Sequence, residues 1–253
     1  MVIASDRVHA RARVACTIVI VGCSSGAQKQ VEPERHAEPV AARDADATNV
    51  APGTGDVQIR VEWHAVPIEL RRSPARTPCG TAAAPAVAPT TTWGVPDAFV
   101  AIDAAGAPPS TVARVVLERC ALAPHAVVTG ERVAVTTTAD APVALTIEDA
   151  AGGHARAIQL PIAGHEVDVP VQRGATYRLS APDGDTAWIA AAAGPFVAVT
   201  EANGQATLRD VPVGRHAVVA RLFVRGDKTP RTARGEVDVV AGALAEVTLD
   251  ISK

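Results

Sequence analysis

The sequence predicts an all-β protein: two Greek-key-type β-sandwich domains behind an extended N-terminal tether. Three observations predict it. Apolar residues fall at every second position through short segments, as a half-buried strand requires. These segments recur about every ten residues and are separated by Gly, Pro, Asn and Asp, the punctuation of sandwiches and barrels. The chain is 48% hydrophobic but only 3% aromatic. Alanine and valine carry the apolar content, so thin sheets are favoured over long leucine-rich helices. A length of 253 residues allows one large β domain or two small ones. The net charge of -3, with lysine only at Lys29, Lys228 and Lys253, argues against nucleic acid as a partner, because phosphate binding needs a basic surplus.

The first element is residues 1–22, which read as an export signal. Arg7, Arg11 and Arg13 precede an apolar run at 14–21, far short of the ~20 residues a bilayer span requires. The run leads into Ile20-Val21-Gly22-Cys23, which resembles the bacterial lipobox. That resemblance implies cleavage before Cys23, a lipid on its sulfur and a membrane as partner. The alternative is a buried strand that ends in Gly-Cys. Ser24 looks like the outer-membrane sorting pattern, which implies an envelope lipoprotein facing the periplasm or the cell surface. Residues 23–54 are rich in Ala, Glu, Asp, Pro and Gly without periodicity. They read as a solvated tether, able to reach on the order of 100 Å if extended.

Residues 55–193 are expected to form the first sandwich. Val57, Ile59, Val61 and Trp63 alternate with Gln58, Arg60 and Glu62. The same alternation recurs at Val133/Val135, Val143/Leu145/Ile147, Val167/Val169/Val171 and Tyr177/Leu179. Residues 110–119 could begin a short helix capped by Ser110, but three β-branched valines favour strand. The Pro- and Ala-rich stretch 73–92 is a long connection of a kind that needs a pin. Cys16 leaves with the signal and Cys23 takes the lipid. Cys79 and Cys120 remain, and in an exported chain a disulfide is the simplest reading. A thiolate ligand for copper or zinc is the alternative.

Residues 194–253 are expected to form the second sandwich. Phe196–Thr200 reads as a strand that turns at Asn203-Gly204 and pairs back through 205–210. Pro212 and Gly214 then lead to strand 216–225. Two more strands, 236–240 and 245–251, turn at Gly242. An upstream strand, 57–63, is a candidate to complete this sheet.

Two stretches carry a family resemblance. Cys120-Ala121-Leu122-Ala123-Pro124-His125 through Gly130-Glu131 to Val135 resembles a segment of exported cupredoxin-like domains. Gly194 through His216, with Leu208, Val211-Pro212 and Gly214, resembles the hairpin of carboxypeptidase regulatory-like domains. Glu201 stands there for the usual Asp, and His216 for the usual aromatic. Copper-binding members of the first family use a late-loop cysteine, histidine and methionine with an earlier histidine. Here Ser180 stands in the cysteine's place and Asp183 or Gly184 near the histidine's, and the only methionine is Met1. The resemblance therefore implies a cupredoxin-like fold without its metal, and no cofactor is expected.

Other chemistry is sparse. His125, His154 and His165 are scattered, and His165 and Asp168 would face opposite sides of a strand. Asp183-Gly184-Asp185 reads as a turn rather than a calcium loop. There is no nucleophile elbow, metalloprotease motif or phosphate loop, so no catalytic residue is assigned. Trp63 and Trp188 read as core anchors. Trp93, beside a glycine in a loop, is the candidate platform for a sugar or peptide. The expected role is non-catalytic binding or structure, toward an envelope protein or a glycan. A copper or electron-transfer protein is one rival, and a carbohydrate-binding module or a hydrolase with a non-local triad is another.

Overall fold

The computed structural model describes residues 53–72, 79, 85–87, 92–224, 227 and 229–252. The expected signal, Cys23 and nearly all of the expected tether lie outside the described residues. Strand β1 (Thr54–Glu62), the one-turn helix α1 (Ile68–Arg71) and β2 (Phe99–Ile102) come first. Nine strands follow: β3 (Ala113–Glu118), β4 (Ala121–Ala123), β5 (Ala126–Thr129), β6 (Arg132–Thr137), β7 (Val143–Asp149), β8 (Arg156–Leu160), β9 (Val167–Pro170), β10 (Thr176–Ser180) and β11 (Thr186–Ala191). The last five are β12 (Val197–Val199), β13 (Gln205–Pro212), β14 (Gly214–Leu222), β15 (Arg231–Val239) and β16 (Leu244–Asp250). The fold is all-β.

One sandwich packs the sheet β13-β1-β16 against the sheet β12-β2-β14-β15. The alternation of β1 sets its faces: Val57, Ile59 and Val61 are fully buried, while Gln58, Arg60 and Glu62 lie at the half-exposed face. Each such side chain contributes about 1.5–3 kcal/mol by leaving water. Trp63 continues the buried row at 2% exposure, with the Arg231 guanidinium 4.2 Å above its ring. β1 runs antiparallel to β13 and parallel to β16.

Two details depart from the sequence expectation. The turn at Asn203-Gly204 forms, with Gly204 at φ +78° and its N–H donating to the Glu201 carbonyl at 2.8 Å. Its flanking strands, however, do not pair back on each other: β12 bonds β2, and β13 bonds β1. The turn at Gly242 likewise joins β15, paired to β14, with β16, paired to β1. Alternation dictates which face a residue takes but not which neighbour its strand bonds, so a sandwich corner and a hairpin look alike in sequence. Hydrogen bonding therefore groups β1 and β2 with β12–β16, and β3–β11 by themselves. It does not follow the consecutive blocks 55–193 and 194–253. The strand at 57–63 does lie among the C-terminal strands.

The other sandwich faces the sheet β5-β11-β10-β7-β8 with the sheet β4-β3-β6-β9. Its core holds Leu122, Val133, Val135, Leu145, Ile147, Leu160, Leu179 and Ile189. Residues 113–118 are strand, as the valines favour. Thr129 is buried, and its hydroxyl accepts the Ala113 N–H at 3.1 Å and points at the carbonyls of Thr111 and Arg132. This satisfies a polar group that would otherwise be costly inside a core. A small cluster of Phe99, Ala126 and Ala190, flanked by Trp188, Val199 and Phe223, joins the two sandwiches.

Candidate functional site

The three tryptophans separate by environment. Trp63 is core. Trp188 is half-buried and stacks on Phe223, with ring centroids 4.3 Å apart. Trp93 is 51% exposed. Its backbone is nevertheless fixed: its carbonyl accepts the Trp63 N–H at 2.9 Å, and the next residue, Gly94, forms a bridge to Glu62. Gly94 lies so close to the Asn203-Gly204 turn that a Cβ there would sit 2.0 Å from the Asn203 carbonyl oxygen. His64 lies beside the Trp93 ring at 5.1 Å, tilted by 44°. Glu62 meets the His64 Nε2 at 3.1 Å and the Arg60 Nε at 2.7 Å. A flat ring on a fixed backbone, with an imidazole beside it that is linked in turn to a carboxylate and a guanidinium, can stack an apolar sugar or peptide face and bond its polar edge.

Cys79 and Cys120 are joined by a disulfide, with Cα atoms 6.1 Å apart, inside the usual span of such bridges. Cys120 sits in the two-residue turn between β3 and β4. Arg119 has φ +45° and Cys120 has φ +68°. Such turns normally use Asn or Gly because other side chains clash there. Asp183 lies close by: one of its carboxylate oxygens is within 4.8 Å of both sulfurs.

Ser180 ends β10 half-buried, and residues 181–184 form a turn in which the Gly184 N–H donates to the Ala181 carbonyl at 3.0 Å. Glu166 and Asp168 pair with Arg114 and Arg132.

One constellation escaped the sequence. His125 lines a cavity of about 200 Å³ with Asp97, Thr186, Trp188 and Phe223. Asp185 is buried, accepts the Leu122 N–H at 2.7 Å and lies 3.6 Å from the His125 Nε2. Burial pushes the Asp97 carboxyl above the usual carboxylate range, and the charge of His125 pulls it partway back. Asp97 also has φ +62°. Asp97 belongs to the sandwich that contains β1, and His125 and Asp185 belong to the sandwich of β3–β11, so the group spans their junction. The pattern Asp183-Gly184-Asp185 was the only local signal. Its second carboxylate proves to point inward.

A larger cavity of about 450 Å³ also lies at this junction, between Phe99–Gly106 and Ala190–Gly194. Alanine and glycine make up much of its wall, with Asp103 and Arg221 as its charged groups.

Together these features define a protein of two all-β sandwiches with a rigidly mounted exposed tryptophan. No family model, curated protein or solved structure matches the chain.

Proposed function

We propose that this chain is a non-catalytic binding lipoprotein of a bacterial envelope, held to the membrane by lipid on Cys23, with Trp93 as its ligand platform for an envelope glycan. The observation that carries the reading is the placement of Trp93. Of three tryptophans it alone is more than half exposed, and its backbone is tied into the strand framework. Exposing a large ring on a rigid mount costs burial energy that a purely structural tryptophan would retain. The polar groups of Glu62, Arg60 and His64 suit hydroxyl-rich ligands. In the same reading, residues 113–191 are a cupredoxin-like sandwich that has lost its copper ligands, and the C-terminal strands are carboxypeptidase regulatory-like.

The test is binding of the purified chain to envelope polysaccharide, with Trp93→Ala beside it. Loss of one stacking contact is expected to weaken binding at least about tenfold, with an unchanged melting temperature. Equal glycan binding by both proteins would refute the platform. A partner protein captured only by the parent chain would redirect it from glycan to protein. Added Cu(II) giving a strong thiolate-to-copper band would overturn the metal-free reading. Cys23→Ser is expected to release the protein from membranes.

A further inference from the structure

We propose that, in its reduced dithiol form, the Cys79–Cys120 pair joins with Asp183 to make a three-ligand site for a thiophilic divalent ion of the zinc class. The connection through residue 79 would then be pinned by a disulfide when oxidised and by a metal when reduced. The inference is independent of the Trp93 reading.

The geometry supplies the ligands. The two sulfurs and an Asp183 oxygen all lie within 4.8 Å of one another. Zinc holds sulfur at about 2.3 Å and carboxylate oxygen at about 2.0–2.2 Å, so ligand atoms around it stand roughly 3.5 Å apart. Parting the sulfurs and drawing in the carboxylate therefore needs only small movements. Two of the ligands sit in turns of the sandwich formed by β3–β11. Cys120 occupies the tight turn joining β3 to β4, and Asp183 occupies the turn joining β10 to β11. Cys79 approaches from the long connection and is exposed, as is Asp183, so an ion has access. Two thiolates with one carboxylate select a borderline-soft ion over magnesium or calcium, which demand more oxygen ligands. A water can complete a tetrahedron.

The chemistry balances with a dithiol reductant. The reductant gives two electrons and two protons and closes its own disulfide, while the Cys79–Cys120 bond opens to two thiols. Metal binding then releases those two protons as the thiolates ligate.

The test uses the full chain carrying Cys16→Ser and Cys23→Ser, reduced with a dithiol and freed of it without air. Zinc affinity is measured by competition with a chromophoric chelator, and cobalt(II) reports thiolate ligation by its charge-transfer absorption. The expected result is one zinc per chain and a thiolate-to-cobalt band, both absent from the oxidised protein and from added Cys79→Ser/Cys120→Ser. Asp183→Asn should weaken zinc binding at least about tenfold while leaving the melting temperature of the oxidised protein unchanged. The proposal fails if the reduced chain binds no more zinc than the double serine variant, or if Asp183→Asn binds as tightly as its parent. It also fails if reduction abolishes the β-sheet circular dichroism and zinc does not restore it.

Discussion

Replacing both bridged cysteines with serine should destabilise the folded unit by about 4 kcal/mol. The bond closes a loop of sequence separation 41, and the chain-entropy relation gives about 13 cal/mol/K for that length, or about 4 kcal/mol at room temperature. For a unit of this size that lowers the melting temperature by roughly 8–16 °C. Urea unfolding of the oxidised parent and of Cys79→Ser/Cys120→Ser measures it directly. The turn adds a second term, because position 120 has φ +68° and a serine keeps the clash of any L side chain there. Cys79→Ser/Cys120→Gly should therefore recover about 1 kcal/mol relative to the double serine variant. A loss below about 1 kcal/mol for the serine pair would refute loop closure as the source of stability. A glycine variant no better than serine would refute strain in the turn.

Two further outcomes follow from the buried and crowded positions. Asp97 has its carboxyl pushed up by burial, so the folded chain holds its proton to higher pH than the unfolded chain. Stability from this group is present at low pH and lost as pH rises through the raised value. Asp97→Asn, which also tolerates φ +62°, should flatten that slope and raise the melting temperature at neutral pH. A lower melting temperature at neutral pH would contradict it. Gly204→Ala places a Cβ 2.5 Å from the Gly94 Cα and the Val95 N at φ +78°, which should cost at least about 2 kcal/mol in chemical denaturation. A neutral result would mean the corner at 203–204 is loosely held.

Faces were legible in the sequence and partners were not. Val57, Ile59 and Val61 announce their burial because a strand's period of two is written residue by residue. Gly204 announces its positive φ because few other residues adopt it. The Cys79–Cys120 bond could be reached by accounting for the other two cysteines. By contrast, strand 57–63 reads as a candidate to complete the C-terminal sheet, but nothing near it signals that its two neighbours are β13 and β16, because pairing is decided by the competition of distant strands. Asp97, His125 and Asp185 each sit in a different stretch of chain. A single polar residue has no period, so their meeting at the junction of two sandwiches leaves no trace in any one segment.

The central position of β1 also orders events in time. The first strand of the folded unit bonds the thirteenth on one side and the sixteenth on the other. A chain delivered from its N-terminus must therefore wait for β13 and β16 before both edges of β1 are paired, and for β14 and β15 of the facing sheet before Val57, Ile59 and Val61 are fully covered. Residues 113–191, whose strands bond only among themselves, can close meanwhile. Their closure shortens the gap the outer strands must bridge, yet the early apolar face stays open throughout. Delivery thus has a vulnerable interval that ends only with β16, and a truncation of the last few residues would be felt first at the start of the fold.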